Sequence, residues 1–225
     1  MGNSKFSNIQ LDVYNRFTES VSAYQIKSSK TKYYLSQGQG APEHIHPDYL
    51  HKGKKHMNHG QRIPYQSKVV KESPEKYHAL MSTFKDVCQV VSDIIKKHLP
   101  DLHAQISIFC DILPLNDRPT THPFPGCVIN LQVATEGHLD SGDDTICVVI
   151  PFGDFEGGEL VLSDAGLMIN LQEGDVFIFP SFRLTHFNMH FTGVRGSLVM
   201  HSDKDGKRWV KDRNGWQFHM ATLVS

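Results

Sequence analysis

The sequence lacks the features that define several classes of protein. No apolar run approaches the ~20 residues that span a bilayer, and the N-terminal residues carry no apolar signal core. The cysteines Cys88, Cys110, Cys127 and Cys147 form no CxxC pair, which argues against a structural zinc knuckle and favours buried free thiols. We therefore expect an intracellular protein, nuclear or cytoplasmic, that does not bind membranes.

The charge is balanced in total but not along the chain. The net charge is −1, yet residues 1–100 carry 15 basic and 8 acidic side chains, and residues 101–225 carry 8 and 16. A near-neutral total argues against indiscriminate coating of nucleic acid, whereas a basic half can still form a local face for an anionic ligand.

Residues 1–72 are predicted as an N-terminal arm with a basic, histidine-rich loop. Residues 36–68 are rich in Gly, His, Lys and Pro and have no apolar periodicity, which is typical of a loop. The irregular spacing of the histidines favours a solvated loop over a metal site, and a long loop can also cover a polyanionic substrate. The histidines concerned are His44, His46, His51, His56 and His59.

Residues 73–225 are predicted as the core of what is one domain overall. Ser73 as N-cap, Pro74 in the first turn and apolar residues at helical spacing predict a helix that ends at Pro100 and packs on a sheet. Short β-rich runs then follow, from QISIFCDIL (105–113) to GSLVMHS (196–202), with Gly157-Gly158 as a hairpin turn. They predict a mainly β protein with flanking helices and a jelly-roll core.

Four residues in the β region suggest a metal centre. His138 and Asp140 lie two apart, so in an extended segment both side chains reach one face, although a hydrogen-bonded pair has the same spacing. His186 and Arg195 follow on later segments. Two imidazoles and a carboxylate form the facial triad of non-haem Fe(II), with open positions for a 2-oxo acid and dioxygen. The guanidinium of Arg195 suits the remote carboxylate of 2-oxoglutarate.

The joint pattern, H-x-D followed by G-D-x-x-x-F, H and G-x-R, resembles the Fe(II)/2-oxoglutarate-dependent dioxygenases over about residues 104–202. The resemblance implies a double-stranded β-helix, which is a cupin-like jelly roll. It also implies that His138, Asp140 and His186 are the metal ligands and catalytic residues, and that Arg195 binds 2-oxoglutarate. His190 competes with His186 as the distal ligand, but its gap to Arg195 is shorter than the family spacing.

The implied cofactors are Fe(II), 2-oxoglutarate and O2, with ascorbate as a reductant. Ser197 lies two residues after Arg195 on the same strand face, so its hydroxyl is expected to bind the same carboxylate. Asn130 and Gln132 are further candidates to donate hydrogen bonds to 2-oxoglutarate.

The segments HLDSGDDTICVVIPFGDFEGGELVL, GDVFIFPSFRLTHFN and VRGSLVMHSD are most similar to the TET/JBP group, which oxidises the 5-methyl group of pyrimidines in nucleic acid. By that resemblance Asp143, three residues after Asp140, contacts the base, although it could instead cap a turn. His201 is the candidate for a second base contact, and it lies closer to Arg195 than the group's pattern has it. Asn188 is a third candidate for substrate contact.

We therefore expect a monomer that oxidises the methyl group of a modified base such as 5-methylcytosine in DNA. The basic segments 52–62 and 204–213 would contact phosphates, and Trp209 and Trp216 would stack on bases. A solvated strand pair with core-facing indoles is the alternative for the tail. The alternative functions are the same chemistry on a protein side chain or small metabolite, as in prolyl hydroxylases, and a catalytically silent binding protein.

Overall fold

The computed structural model describes residues 31–45, 62–67, 70, 72–113, 118–212 and 214. Among these residues, no helix has the length and apolar character needed to cross a membrane. The elements in chain order are β1 (Thr31–Ile45), β2 (Arg62–Gln66), α1 (Pro74–His98), α2 (Pro100–Asp111), β3 (Gly126–Leu131), β4 (Asp143–Phe152), β5 (Phe155–Gly157), β6 (Leu160–Leu162), a 3-10 helix (Ser163–Ala165), β7 (Leu167–Ile169), β8 (Phe177–Phe179), β9 (His186–Asn188), β10 (Phe191–Gly193), β11 (Gly196–Asp203) and α3 (Lys204–Lys211).

Helix α1 forms where the sequence predicts it. Pro74 occupies the first turn, where the missing N–H of proline costs nothing. The backbone carbonyl of Ser73 accepts the N–H groups of Lys76 and Tyr77 at 3.1 Å, but the Ser73 hydroxyl makes no capping bond. The helix ends before Pro100, which begins helix α2.

Three antiparallel sheets form the β core. The largest has six strands in the order β2-β1-β3-β11-β4-β8, a second has the order β7-β6-β9, and β5 pairs with β10. Strand β11 lies between β3 and β4, with Ser197 opposite Asn130 on one side and Pro151 on the other. This arrangement confirms a mainly β protein with flanking helices.

The main sheet buries both of its faces. One face packs against α1, where Leu198 and Met200 of β11 contact the apolar stripe of the helix. The opposite face packs against β6, with Cys147 and Val149 in one cluster with Leu160. Full burial of such aliphatic side chains contributes about 1.5–3 kcal/mol each. Helix α1 therefore covers one face of the sheet, and the opposite face meets the three-stranded sheet.

Two stretches differ from the sequence prediction. Parts of the predicted loop, residues 36–45 and 62–66, are strands, and β1 pairs with β3 in the main sheet. Residues 105–111, predicted as a strand, are helical, because Ile106, Phe109 and Cys110 share one buried helix face. The division at residue 72 stays a prediction, and His46, His51, His56 and His59 lie outside the described residues.

The glycine pair and the tail also differ from prediction. Gly157 ends β5 and Gly158 follows it, but β5 pairs with β10 and β6 with β9, so the pair connects two sheets and is not a hairpin turn. The tail is helix α3, not a strand pair. Trp209 is fully buried, with its ring edge-on to Phe109 at 5.7 Å, so it is a core residue and not a stacking platform. Trp216 lies outside the described residues.

Candidate active site

A cavity of about 200 Å³ opens between the main sheet and the three-stranded sheet. Strand alternation decides its lining, because every second residue of a strand points to the same face. Ser197, Val199 and His201 of β11 follow this rule. The complete lining is Val128, Asn130, Thr135, His138, Asp140, Asp143, Cys147, Val149, Leu160, His186, Asn188, Ser197, Val199 and His201.

His138, Asp140 and His186 converge at this cavity. Their ligand atoms lie within 4.8 Å of one another, with His138 Nε2 3.6 Å from one Asp140 oxygen and His186 Nε2 3.4 Å from the other. The backbones of His138 and His186 form an antiparallel bridge, with N–H to carbonyl distances of 3.1 and 3.0 Å. His138 thus lies on an isolated bridge and Asp140 in the segment after it, not on a regular strand, yet both side chains reach the same cavity as predicted.

Both imidazoles are oriented by the backbone. Nδ1 of His138 donates to the carbonyl of Glu136 at 2.7 Å, and Nδ1 of His186 donates to the carbonyl of Leu184 at 2.9 Å. A carbonyl only accepts, so Nδ1 carries the proton in both rings and the Nε2 atoms remain to face a metal ion. Such hydrogen bonds fix the tautomer of metal-binding histidines.

Asp140 and His186 shift each other's pKa values toward the charged forms. Burial tends to raise the pKa of Asp140, but hydrogen bonding to His186 and the charges of His186 and His138 outweigh it, so the pKa lies below its ordinary value. For His186, burial tends to lower the pKa, but the hydrogen bond to Asp140 outweighs burial, so the pKa lies above its ordinary value. An ionised carboxylate and two imidazoles together form a donor set that suits a divalent transition metal.

Arg195 lies directly before β11. It begins the row of alternate residues that continues along the strand through Ser197 and His201. Its side chain is 3% exposed, and its guanidinium carbon lies 5.2 Å from the ring centre of Phe155 and 5.6 Å from that of Phe191. Among the described residues, Nε and Nη2 of Arg195 have no hydrogen-bond partner. Burial lowers the pKa of Arg195. A buried cation with two free donors calls for an anion, since unpaired buried charges are costly.

Polar contacts hold the backbone near Arg195. The Arg195 N–H donates to Gln132 Oε1 at 2.5 Å, and Gln132 Nε2 donates to the carbonyl of Gly193 at 3.1 Å. The amide of Gln132, considered above as a donor to 2-oxoglutarate, is therefore used within the protein. Asn130 does line the cavity, and its Nδ2 donates to Ser197 Oγ at 3.2 Å.

Asp143 and His201 form the other polar end of the cavity. Ser181 Oγ donates to Asp143 Oδ2 at 2.9 Å, and His201 Nδ1 lies 3.4 Å from Asp143 Oδ1 as an ion pair without hydrogen-bond geometry. Burial tends to lower the pKa of His201, but the Asp143 carboxylate raises it above its ordinary value. The third candidate, Asn188, also lines the cavity, and its Nδ2 is 3.4 Å from the carbonyl of Gly158.

Some candidate residues lie elsewhere. His190 is exposed and does not join the triad, so His186 is the histidine that the fold brings to Asp140. In the predicted phosphate-binding tail, Lys204 Nζ donates to the carbonyl of Ser141 at 2.6 Å. Lys207 pairs with Asp144 at 3.1 Å, so both ammonium groups already have protein partners.

Sequence reasoning missed Ser181 and the positioning role of Gln132. Their partners lie far away in the chain: Asp143 is 38 residues from Ser181, and Arg195 is 63 residues from Gln132. Neither serine nor glutamine in a connecting segment carries a periodic or motif signal. No pattern in this single sequence could have identified them.

The donor set fits the cofactors that the resemblance implies. A histidine, aspartate, histidine triad with both Nε2 atoms directed at the carboxylate suits Fe(II). The two unpartnered donors of buried Arg195 suit the carboxylate of 2-oxoglutarate, which accepts two parallel hydrogen bonds from a guanidinium.

Solved structures of other proteins are similar to this chain. The solved structure of NgTET1 in complex with 5mC DNA aligns with a TM-score of 0.61 and 17% identity, over 90% of this chain and 75% of that one. OsALKBH1 aligns with a TM-score of 0.33 and 19% identity, over 51% of this chain and 63% of that one. A 2OG-Fe(II) oxygenase family protein from Burkholderia pseudomallei aligns with a TM-score of 0.38 and 14% identity, over 89% and 90%.

The NgTET1 alignment confirms the double-stranded β-helix fold. No curated protein matches the sequence significantly. Residues 51–209 match the family model of Tet_JBP, described as the oxygenase domain of the 2OGFeDO superfamily. The match covers more than half of the chain, so this protein is a member of the Tet_JBP family and an enzyme of the 2-oxoglutarate- and Fe(II)-dependent oxygenase class.

Proposed function

We propose that this oxygenase oxidises the methyl group of a modified nucleic-acid base, with 5-methylcytosine in DNA as the preferred substrate. The observation that carries the proposal is the Asp143 carboxylate, which lines the same cavity as the iron triad. Membership of the Tet_JBP family and the likeness to NgTET1, a structure that contains 5mC DNA, support the substrate class.

The chemistry of cytosine suits the Asp143 end of the cavity. A charged carboxylate accepts hydrogen bonds and cannot donate them, and cytosine offers the N4 amine as a donor. A base inside a duplex cannot reach a cavity between two sheets, so the target nucleotide must leave the stack. Asn188 and His201 line the same space and supply further polar contacts for the extruded base.

The residues of the cavity and Arg195 would have different roles in the reaction. When bound, iron, 2-oxoglutarate and O2 would supply the oxidation, in which one oxygen atom of O2 converts a C–H bond into C–OH and the other enters succinate as 2-oxoglutarate loses CO2. His138, Asp140 and His186 would hold the metal, while Arg195 and Ser197 would hold the remote carboxylate. The apolar wall formed by Val128, Val149, Leu160 and Val199 excludes water from the reacting methyl group.

Partners and location remain predictions that go with this proposal. The exposed cations Arg183, Arg208 and Lys211 are available for phosphate contacts, and segment 52–61 lies outside the described residues. Phosphate contacts make binding weaken as salt rises. We expect a monomer in the nucleus or cytoplasm.

The test is incubation of the protein with Fe(II), ascorbate and 2-oxoglutarate on a panel of substrates, followed by mass spectrometry of nucleosides and succinate. The panel contains 5-methylcytosine in single- and double-stranded DNA and in RNA, unmethylated DNA, a proline-containing peptide and free metabolites. We expect an oxidised nucleoside from methylated DNA. Succinate formed in abundance on a peptide or metabolite, with no oxidised nucleoside from any nucleic acid, would contradict the proposal.

Asp143 provides a residue-level prediction. Asp143→Ala should lower the oxidation of methylated DNA about tenfold or more, since a hydrogen bond to a charged group is lost, while the slow turnover of 2-oxoglutarate without substrate continues. Asp144→Ala is the matched control, because that carboxylate pairs with Lys207 outside the cavity. Equal losses in the two variants would remove Asp143 from the substrate site.

A further inference from the structure

Ser181 connects the iron site to the substrate end of the cavity. The residue is completely buried, in the turn after β8. Its backbone carbonyl accepts the N–H of Asp140 at 3.3 Å, and its hydroxyl donates to Asp143 Oδ2 at 2.9 Å. Its own N–H bonds back to the carbonyl of Phe179 at 3.2 Å, which ties the turn to the end of the strand. One serine thus contacts both a metal-ligand residue and the acidic residue of the substrate end.

The hydroxyl of Ser181 determines how the Asp143 carboxylate is turned. The last torsion of an aspartate is broad, so the plane of the carboxylate is fixed by its partners and not by its rotamer. The partners here are the Ser181 hydroxyl on one oxygen and His201 on the other, and the His201 contact at 3.4 Å lacks hydrogen-bond geometry. The serine bond is therefore the one well-formed hydrogen bond to this carboxylate among the described side chains.

We propose that Ser181 is a positioning residue for base selectivity, which rests on the proposed function above. It holds the plane of the Asp143 carboxylate at a fixed place relative to Asp140, so that a base is accepted only when an exocyclic amine meets that plane. Thymine carries the same 5-methyl group as 5-methylcytosine but presents an acceptor, O4, in place of the amine. A fixed carboxylate repels that oxygen, whereas a carboxylate that is free to rotate can turn away from it.

The test compares the wild type with Ser181→Ala and Ser181→Cys. The measured quantities are the ratio of kcat/KM for 5-methylcytosine to that for thymine in otherwise identical DNA, and the oxidised nucleoside formed per succinate. We expect Ser181→Ala to lower the selectivity ratio about tenfold, as for a lost charge-assisted hydrogen bond. Ser181→Cys keeps a weak donor and should fall in between. Ser107→Ala is the matched control, since Ser107 is also buried and donates to the carbonyl of His103 at 2.8 Å, away from the cavity.

A double-mutant cycle separates positioning from general destabilisation. If Ser181 acts through Asp143, then Ser181→Ala should have no further effect on selectivity in the Asp143→Ala background, whereas independent effects would add. An unchanged selectivity ratio in Ser181→Ala, or additive effects in the cycle, overturns this inference and leaves the proposed function intact. A wild type that oxidises no methylated base overturns the proposed function, and the inference falls with it.

Discussion

The two ends of the row of alternate residues from Arg195 to His201 treat buried charge in opposite ways. Arg195 lies directly before β11, and His201 lies six residues later on that strand, about 20 Å along the backbone at ~3.3 Å per residue. The Asp143 carboxylate has Ser181 and His201 as partners, whereas two guanidinium nitrogens of Arg195 have none among the described residues. In the proposed function, the Arg195 end therefore binds an anion, and the Asp143 end accepts a hydrogen bond from a neutral group.

The largest expected effect removes the function of both ends at once. His138→Ala, Asp140→Ala and His186→Ala should each abolish succinate formation, because each removes one of the three proposed metal ligands. The affinity for the metal, measured by calorimetry, should fall in the same variants. Circular dichroism should show that the fold is intact. His190→Ala is the control and should remain active, since that side chain is exposed and outside the cluster. An inactive His190→Ala with an active His186→Ala would make the ligand assignment wrong.

The second effect concerns the Arg195 end alone. A saturating anion that binds only the folded state raises the free energy of unfolding, by about 2.7 kcal/mol at one hundred times its Kd. We expect 2-oxoglutarate to stabilise the wild type by this order, in chemical denaturation with Fe(II) under nitrogen, and to have no effect on Arg195→Met. Without ligand, Arg195→Met should be as stable as the wild type or more so, because a buried unpaired cation is costly. A large loss of stability in ligand-free Arg195→Met would indicate that the guanidinium has a structural partner.

A smaller effect should follow from crowding the same end. Gly158 has φ of +75°, and a Cβ added there would lie 2.9 Å from Arg195 Nε. Gly158→Ala should therefore raise the KM for 2-oxoglutarate several-fold by displacing the guanidinium. Gly166→Ala is the matched control, since Gly166 has φ of +63° with nothing within 4 Å of the added Cβ. Both variants pay a backbone cost of about 1–2 kcal/mol, and only the first should change the KM.

The smallest effect is a pH dependence at the opposite end. The pKa of His201 is raised in the folded state by Asp143, so its contribution to stability is fully present below the ordinary value of 6.5 and is lost as the pH rises through the raised pKa. The difference in the free energy of unfolding between the wild type and His201→Asn should thus shrink as the pH rises above 6.5. A difference that grows with pH would mean that His201 is buried in its neutral form.

Short motifs and periodic apolar residues determine how much of the fold and the site the sequence could predict. The positions of His138, Asp140 and His186 follow from short motifs, and helix α1 follows from periodic apolar residues over 25 positions. The prediction of a strand over 105–111 is wrong, because a short apolar run fits a strand and a buried helix face equally well. Helix α2 buries Ile106 in the cluster with α1, whereas Phe109 and Cys110 pack in the cluster with Trp209, which is distant in the chain.

The contacts that distinguish the two ends depend on tertiary structure. Ser181 and Gln132 are polar residues in connecting segments, and their partners become neighbours only when the sheets assemble. The free donors of Arg195 likewise follow from which residues surround it, not from the G-x-R motif that locates it. The sequence could therefore predict which residues form the site, but not which of them would be left without a partner.

The most direct test of the account is a pair of titrations on Arg195→Met and Asp143→Ala, each loaded with Fe(II) under nitrogen. In the first titration 2-oxoglutarate is added to each variant. In the second, with 2-oxoglutarate present, two DNA oligonucleotides that differ only in having 5-methylcytosine or thymine at the target position are added to each variant. The account predicts that Arg195→Met loses affinity for 2-oxoglutarate while Asp143→Ala keeps it, and that Asp143→Ala loses preference for methylcytosine over thymine while Arg195→Met keeps it. Loss of 2-oxoglutarate affinity in Asp143→Ala to the same degree as in Arg195→Met would contradict the separate roles of the Arg195 end and the Asp143 end.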